Sequence, residues 1–301
     1  MPDRHLAPLA YIDAIARAGS IRKAADSLAI TSTALNRRVL ALEEEFGVPI
    51  FERLSRGVRL STAGELLIAH LRRQSSELEK LKSQIADLSG ERRGHVRIAC
   101  SQALLPYFLP EQISRYRAAH PAVTFDVRVR DRAAAEQALV DMSADIALVF
   151  EPVRIREVQV LISVRQSVFA VMAEDHPLAA GRTVRLRDCA AYPVALPASH
   201  YGVRHLIDMA LMRSSVELQI ALVSDSFEFL RRYPRKERLL SFQIAVGLPR
   251  GDGEGIVSRP VDRRDVPEGL LYLCQLRGRT LPVAAAKFAQ QMEAVLELDY
   301  S

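Results

Sequence analysis

The sequence predicts a mixed α/β chain in three parts: a small helical domain with a two-stranded turn, one long helix, and a larger region of two α/β units. Three observations carry this. Between Ser20 and Phe46, apolar residues recur at helical spacing in two short runs separated by a hydroxyl-rich break. Residues 62–88 contain no proline, and their apolar positions step by four and three. From His95 onward, apolar runs of strand length alternate with helical segments.

In the first part, Ser20 suits a helix N-cap, and Ile21, Ala24, Ala25 and Leu28 follow at i, i+3, i+4 and i+7. Ile30-Thr31-Ser32 breaks the period and offers hydroxyls to cap a second helix. There Leu35, Val39, Leu42 and Phe46 form one apolar stripe, while Thr33 and Arg37 lie opposite it, flanked by Asn36 and Arg38. Two helices so joined, with polar and cationic groups at the start of the second, describe a helix-turn-helix whose second helix enters the major groove of duplex DNA. Arg reads guanine O6 and N7 in bidentate fashion, and Asn does the same to adenine N6 and N7. The acidic run Glu43-Glu44-Glu45 sits at the far end, away from phosphates. Periodicity alone fits an ordinary helical hairpin with a solvated face equally well.

The next ten residues tip that balance. Phe51 to Leu60 alternates in character around Gly57, which is free to take a positive φ, so a two-stranded turn is expected. Arg53, Arg56 and Arg59 are spaced to project from this wing toward phosphates or a narrow minor groove. A helix-turn-helix with a basic wing is a winged DNA-binding domain. With these motifs in place, the chain resembles the LysR-type transcriptional regulators over essentially its whole length. The matching residues are Gly19-Ser20, Ala24-Ala25, Leu28, Ala34-Leu35 and Leu42-Glu43, then Phe46-Gly47-Val48-Pro49-Ile50-Phe51-Glu52-Arg53 and Leu60-Ser61-Thr62-Ala63-Gly64. Where the family often has Gln-Pro-Ala-Val-Ser at the entry to the recognition helix, this chain has Thr31, Ser32, Thr33 and Asn36, so no base preference carries over.

A chain of 301 residues suggests two or three domains, and 49% hydrophobic with 26% charged residues is ordinary globular composition. Residues 1–90 carry 13 Lys and Arg against 11 Asp and Glu, so the basicity of the first part is a positioned patch, not a general excess. No run approaches the roughly 18 apolar residues of a membrane span, and no apolar leader opens the chain, so neither a membrane anchor nor a signal peptide is expected and a cytoplasmic location is. Cys100, Cys189 and Cys274 are odd in number and widely spaced, which argues against a disulfide framework and a zinc site. His200 and His205 lack ligand spacing. No metal or cofactor is expected.

Residues 62–88 read as one helix capped by Ser61. Leu67, Leu71, Gln74, Leu78, Leu81, Ile85 and Leu88 form a heptad seam along a rod of about 40 Å. A connector bridging solvent has the same length, but so apolar a seam calls for a partner. The resemblance implies that this linker helix pairs with its twin, giving a homodimer or homotetramer, and that RNA polymerase is a further partner. Ser89-Gly90 and the charged turn to Gly94 read as the hinge.

Beyond it, strands are expected at 95–100, 123–129 and 146–150, with helices at 103–118 and 132–141. A second set follows: strands at 168–173, 194–196, 216–223 and 240–246, helices at 203–212 and near Phe227. A strand at 270–276 and an amphipathic helix at 283–298 close the chain. The βαβαβ order implies mostly parallel sheets, with a ligand cleft at the carboxyl ends of the strands where the two units meet. The resemblance implies a periplasmic-binding-protein-like effector domain over 90–301. Its first subdomain is expected at 94–162 plus 270–301 and its second at 163–269, after a winged domain at 1–61 and a linker at 62–89. Pocket candidates lie where strands end. Ser101 and Gln102 start a helix, a ready anion site. Ser199, His200 and Arg204 follow the strand ending at Leu196, and Ser224 ends another. Each serine fits simple helix capping as well, and His200 fits a surface position.

The expected function is a DNA-binding transcriptional regulator controlled by a small, anionic effector. Nucleophile motifs and paired carboxylates are absent from the sequence, so it does not read as an enzyme. Gly251 to Gly255 carries spaced glycines without a strand-then-helix context, and reads as a loop. The rival readings are a solute-binding protein and a metabolic enzyme with an appended DNA-binding domain.

Overall fold

A computed structural model describes residues 7–88, 93–153, 156–249, 251, 253 and 255–300, with the side chains of 7–9 and 86–88 outside the description. It divides into two compact units, residues 1–82 and 83–301. The hinge at Ser89-Gly90 lies outside the described residues.

In the first unit, α1 (Ala7–Ala18), α2 (Ile21–Ser27) and α3 (Ser32–Phe46) precede a hairpin of β1 (Phe51–Arg53) and β2 (Val58–Leu60), then most of α4 (Thr62–Leu88), whose last residues from Ser83 belong to the second. Ser20 caps α2 by accepting from the Lys23 N–H, and Thr31 caps α3 by accepting from the Ala34 N–H at 3.2 Å. Ala24, Ala25, Leu35 and Val39 are buried with Ile12, Ile15, Ile50, Phe51 and Ile68 in one core. The expected apolar stripe of α3 stops early. Leu42 is half-buried and Phe46 is 51% exposed, because Gly47 ends the helix in the left-handed region and the chain turns back. The turn is held by Glu43, whose Oε1 accepts from the N–H groups of Ile50 (2.8 Å) and Phe51 (3.1 Å). The Ile50 carbonyl in turn accepts from the Ser61 N–H at 2.9 Å, and Ser61 Oγ caps α4 by accepting from the Gly64 N–H at 3.0 Å. Gly57 takes φ +94°, and a Cβ there would lie 2.2 Å from the Gly19 carbonyl oxygen, so the wing tip can rest on the α1–α2 turn only with glycine at 57.

Helix α4 has the expected limits, but its seam is not uniform. Leu67 and Leu71 pack against the core of the winged domain and Leu78 is half-buried, whereas Leu81 and Ile85 are 50% and 55% exposed, as is Leu66, outside the seam, at 70%.

The second unit contains two five-stranded sheets. One has the order β4-β3-β5-β12-β6, from β3 (Gly94–Cys100), β4 (Val123–Val129), β5 (Ile146–Phe150), β6 (Val158–Gln166) and β12 (Gly269–Leu276). The other has the order β11-β7-β10-β8-β9, from β7 (Val168–Ala173), β8 (Pro193–Pro197), β9 (Gln219–Ser224), β10 (Leu240–Ile244) and β11 (Ile256–Pro260). The sheets are less parallel than the strand-helix alternation implied. Three neighbouring strands in each run parallel, but β12 is antiparallel to β5 and β6, and β7 is antiparallel to β10 and β11. Strands β6 and β11 were not expected. Gln166 pairs with Gly269 in the first sheet, so the chain crosses to the second sheet at Ser167.

Between strands lie α5 (Phe108–Ala119), α6 (Arg132–Val140), α7 (Leu186–Cys189), α8 (Gly202–Met212) and α9 (Phe227–Arg232), with α10 (Val283–Tyr300) at the end. The helix expected at 103–118 is divided into a 3₁₀ turn, Gln102–Leu104, and α5, with Pro106, which has no N–H to donate, between them. Immediately before β5, Asp145 is fully buried. It accepts from the Arg97 backbone N–H (2.8 Å), the Arg97 guanidinium (2.9 Å) and the Arg279 guanidinium (2.6 Å), tying β3, β5 and the turn after β12 together.

Candidate functional site

Helix α3 presents a polar face at its first two turns. Ser32, Thr33 and Arg37 are exposed and Asn36 is half-buried, so Thr33, Asn36 and Arg37 share one face at i, i+3 and i+4. Thr31 spends its hydroxyl on the helix cap. Arg38 lies across the ring of Tyr11, 4.4 Å from its centroid, which fixes that guanidinium against the domain's own surface. On the wing, Arg53 and Arg56 are exposed, while Arg59 faces Glu52 across the hairpin and pairs with it at 2.7 Å. Sequence spacing missed that pair because it depends on the register Glu52↔Arg59. It also passed over Arg22 and Lys23, two exposed cations in the first turn of α2, on the helix that crosses the DNA backbone in helix-turn-helix docking.

The second candidate site lies at the carboxyl ends of β3 and β5. There Ser101, Arg130, Arg132, Phe150, Tyr201 and Gly202 line a pocket of about 10 Å³, roughly the space of one water molecule. The two sheets meet closely around it. A Cβ on Gly202 would come within 2.6 Å of the Phe150 carbonyl oxygen, so the start of α8 can touch the end of β5 only with glycine at 202. Gln102 Oε1 accepts from the Phe227 N–H at 2.6 Å, and Gln166 Oε1 accepts from the Val246 N–H at 2.9 Å. These bonds hold elements of one sheet to elements of the other.

The six candidate residues are therefore dispersed. Ser101 lines the pocket and caps the 3₁₀ turn, accepting from the Ala103 N–H. Gln102 is the cross-cleft bridge. Ser199 and His200 are exposed, with the His200 ring against Tyr201 at 4.2 Å. Arg204 is engaged by Asp208 (2.7 Å) and the Pro197 carbonyl (3.3 Å), and Ser224 Oγ accepts from the Ser226 N–H at 3.1 Å. Arg130 and Arg132 were missed, although they begin where β4 ends, the same strand-end position that singled out Ser101. The Arg132 guanidinium donates to the Glu151 carbonyl.

Burial pushes the thiols of Cys100, Cys189 and Cys274 up to about 12, so at neutral pH they are protonated and poor nucleophiles. Among the described residues, no group of His, Cys, Asp and Glu could hold a metal ion, and no helix is long and apolar enough to cross a membrane.

Two family models match the chain. Residues 6–65 fit the bacterial regulatory helix-turn-helix protein model of the lysR family, and residues 89–297 fit the LysR substrate binding domain. Among curated proteins, it is 23% identical to the HTH-type transcriptional activator CmpR of Synechocystis over 219 residues, covering 73% of this chain and 72% of CmpR. It is 28% identical to the RuBisCO operon transcriptional regulator of Allochromatium vinosum over 203 residues, 67% of each protein. Among solved structures, a full-length OxyR variant from Pseudomonas aeruginosa superposes with a TM-score of 0.67 at 20% identity, covering 96% of this chain and 97% of that one. Full-length CbnR in complex with its target DNA gives 0.62 at 17% identity, covering 96% and 99%.

Proposed function

The chain belongs to the LysR family of DNA-binding transcriptional regulators with an effector-binding domain, and from that premise we propose which of its residues read DNA and which hold the effector. The observation that carries the reading is the solvent-facing set Thr33, Asn36 and Arg37 at the start of a capped helix, inside a domain whose wing presents Arg53 and Arg56. Short side chains at the helix start reach base edges, and wing guanidiniums reach phosphates. The DNA-contacting set is therefore Ser32, Thr33, Asn36 and Arg37 for bases, with Arg53 and Arg56 for the backbone. The exposed apolar positions of α4 pair two copies, placing two readers on a dyad-symmetric site. Such a regulator works in the cytoplasm, with RNA polymerase as its further partner.

Arg37→Ala and Asn36→Ala each cost about 1–3 kcal/mol on the cognate operator and much less on random duplex. Competition binding at fixed salt measures both. Equal losses on the two DNAs would place these side chains on phosphates. Arg56→Ala, in contrast, weakens all sequences alike and makes log K less steep in log salt by about one unit. An unchanged slope removes Arg56 from the interface.

For the effector domain, we place the ligand at the pocket that Ser101 lines, with Arg130 and Arg132 supplying charge, which favours a carboxylate or another small anion. About 10 Å³ holds no metabolite, so binding requires the two sheets to part and the Gln102–Phe227 contact to open. An effector that favours the parted arrangement shifts that equilibrium and couples the cleft to DNA. Ser101→Trp tests this reading. Operator binding should survive while the thermal stabilisation given by the wild type's ligand disappears, and a variant that responds to that ligand with unchanged affinity moves the site elsewhere. A solute-binding protein or a metabolic enzyme with an appended DNA-binding domain is not favoured, since the match to the substrate binding domain comes joined to a lysR-family regulatory helix-turn-helix.

A further inference from the structure

Away from the cleft, the second sheet's subdomain carries an arginine-lined groove of about 360 Å³ that neither DNA reading nor cleft binding uses. Its walls come from the start of α7, the end of α8 and the loop after β11, and they bring together Arg185, Arg187, Arg213, Arg263 and Arg264. Only one carboxylate, that of Asp265, lines it with them.

Part of this cluster is scaffolding. Arg185 is held in bidentate fashion by Asp265, with both N–O distances 2.8 Å, and Asp265 also accepts from the Leu186 N–H. Arg264 is held by Asp262 at 2.6 Å and Arg263 by Glu268 at 3.0 Å. The hydrogen bond it donates to Asp265 raises the Arg185 guanidinium above its ordinary value, and the bond from Arg264 holds Asp262 far below the usual carboxylate range. A guanidinium has five donors, and a bidentate carboxylate takes two of them. The clamped arginines thus keep donors to spare in fixed directions.

The rest is not explained by scaffolding. Arg213, exposed at the end of α8, has no carboxylate partner among the described residues, and Arg187 is 69% exposed and only 3.6 Å-paired with its neighbour Asp188. Between them the groove has an apolar floor from Leu186, Ala210 and Val216. A concave surface that gathers five guanidiniums beside apolar side chains has the features of a small-molecule site, and about 360 Å³ is within the usual size range.

We propose that this groove is a second binding site, for a small organic anion in which a carboxylate or phosphate is joined to an apolar body. The acidic group bonds Arg213 and Arg187 against the clamped Arg185 and Arg264, and the apolar body covers the floor.

The test is calorimetric titration of the full-length protein with phenyl phosphate and with benzoate. At least one should bind saturably to the wild type and equally to Ser101→Trp. Arg213→Glu and the milder Arg213→Gln, both at an exposed unpaired position, should weaken it about tenfold or more. Circular dichroism and operator binding confirm that the variants are folded. Failure of both compounds to saturate by about 10 mM overturns the proposal. So does binding that the Arg213 variants leave unchanged, or binding that Ser101→Trp abolishes.

Discussion

Aspartate at both Leu81 and Ile85 is expected to convert the protein to a monomer in sedimentation and to weaken operator binding about 10²–10⁴-fold. Both side chains are half or more exposed on a 27-residue helix, four residues apart and therefore on one face. Two charges buried in an apolar helix–helix contact cannot be solvated, whereas in the monomer they face water at little cost. The DNA effect exceeds that of any single base contact because pairing makes the second half-site an intramolecular event. Leu78 is the poorer position to test, since it is half-buried within its own chain and its loss would disturb packing as well. A double variant that keeps the wild-type sedimentation coefficient and operator affinity shows that this face of α4 does not pair.

Asp145→Ala is expected to destabilise the effector domain by about 3–5 kcal/mol. The carboxylate is fully buried and serves two guanidiniums, one of which, Arg279, is itself almost wholly buried. Removing it takes a carboxylate from that cation in a low-dielectric site, and takes from the Arg97 backbone N–H the acceptor it bonds. Asp145→Asn should cost less, because the amide oxygen can still accept from one of them. Urea denaturation followed by far-UV circular dichroism measures both. A loss under about 1 kcal/mol for the alanine variant would mean that water replaces the carboxylate.

What the sequence made legible is what local chemistry decides. Ser20 and Thr31 cap their helices, Gly57 takes the positive φ its turn needs, and α4 runs from Thr62 to Leu88, because each depends on neighbours a few residues away. Strands β3, β4 and β5 fall within a residue of expectation because their apolar runs are short and bounded. Strand β6 escaped because Gln159, Ser163, Arg165 and Gln166 interrupt its apolar residues, and because it joins β7 through Ser167 alone, without a turn signal. The antiparallel course of β12 depends on a partner more than a hundred residues away. The sites were legible in the same proportion. Thr33, Asn36 and Arg37 share a face because helical spacing dictates it. That Arg59 is tied to Glu52, Arg38 to Tyr11 and Gln102 to Phe227 follows from packing that no spacing rule contains.

The Glu43 carboxylate, the Ile50 peptide and the Ser61 cap form a short chain of hydrogen bonds from the end of the recognition helix, through the root of the wing, to the start of the long helix. Three parts that could flex independently are thereby riveted into one reading head. Torque applied along α4 turns the exposed face of α3 and the wing by the same angle, with little of it lost in bending between them. With two such heads paired as proposed, the grip of each on its half-site stays nearly constant, and the variable left to regulation is the distance and twist between them. Operators that differ only in the spacing of their half-sites are then the sequences among which such a protein discriminates most sharply when its state changes.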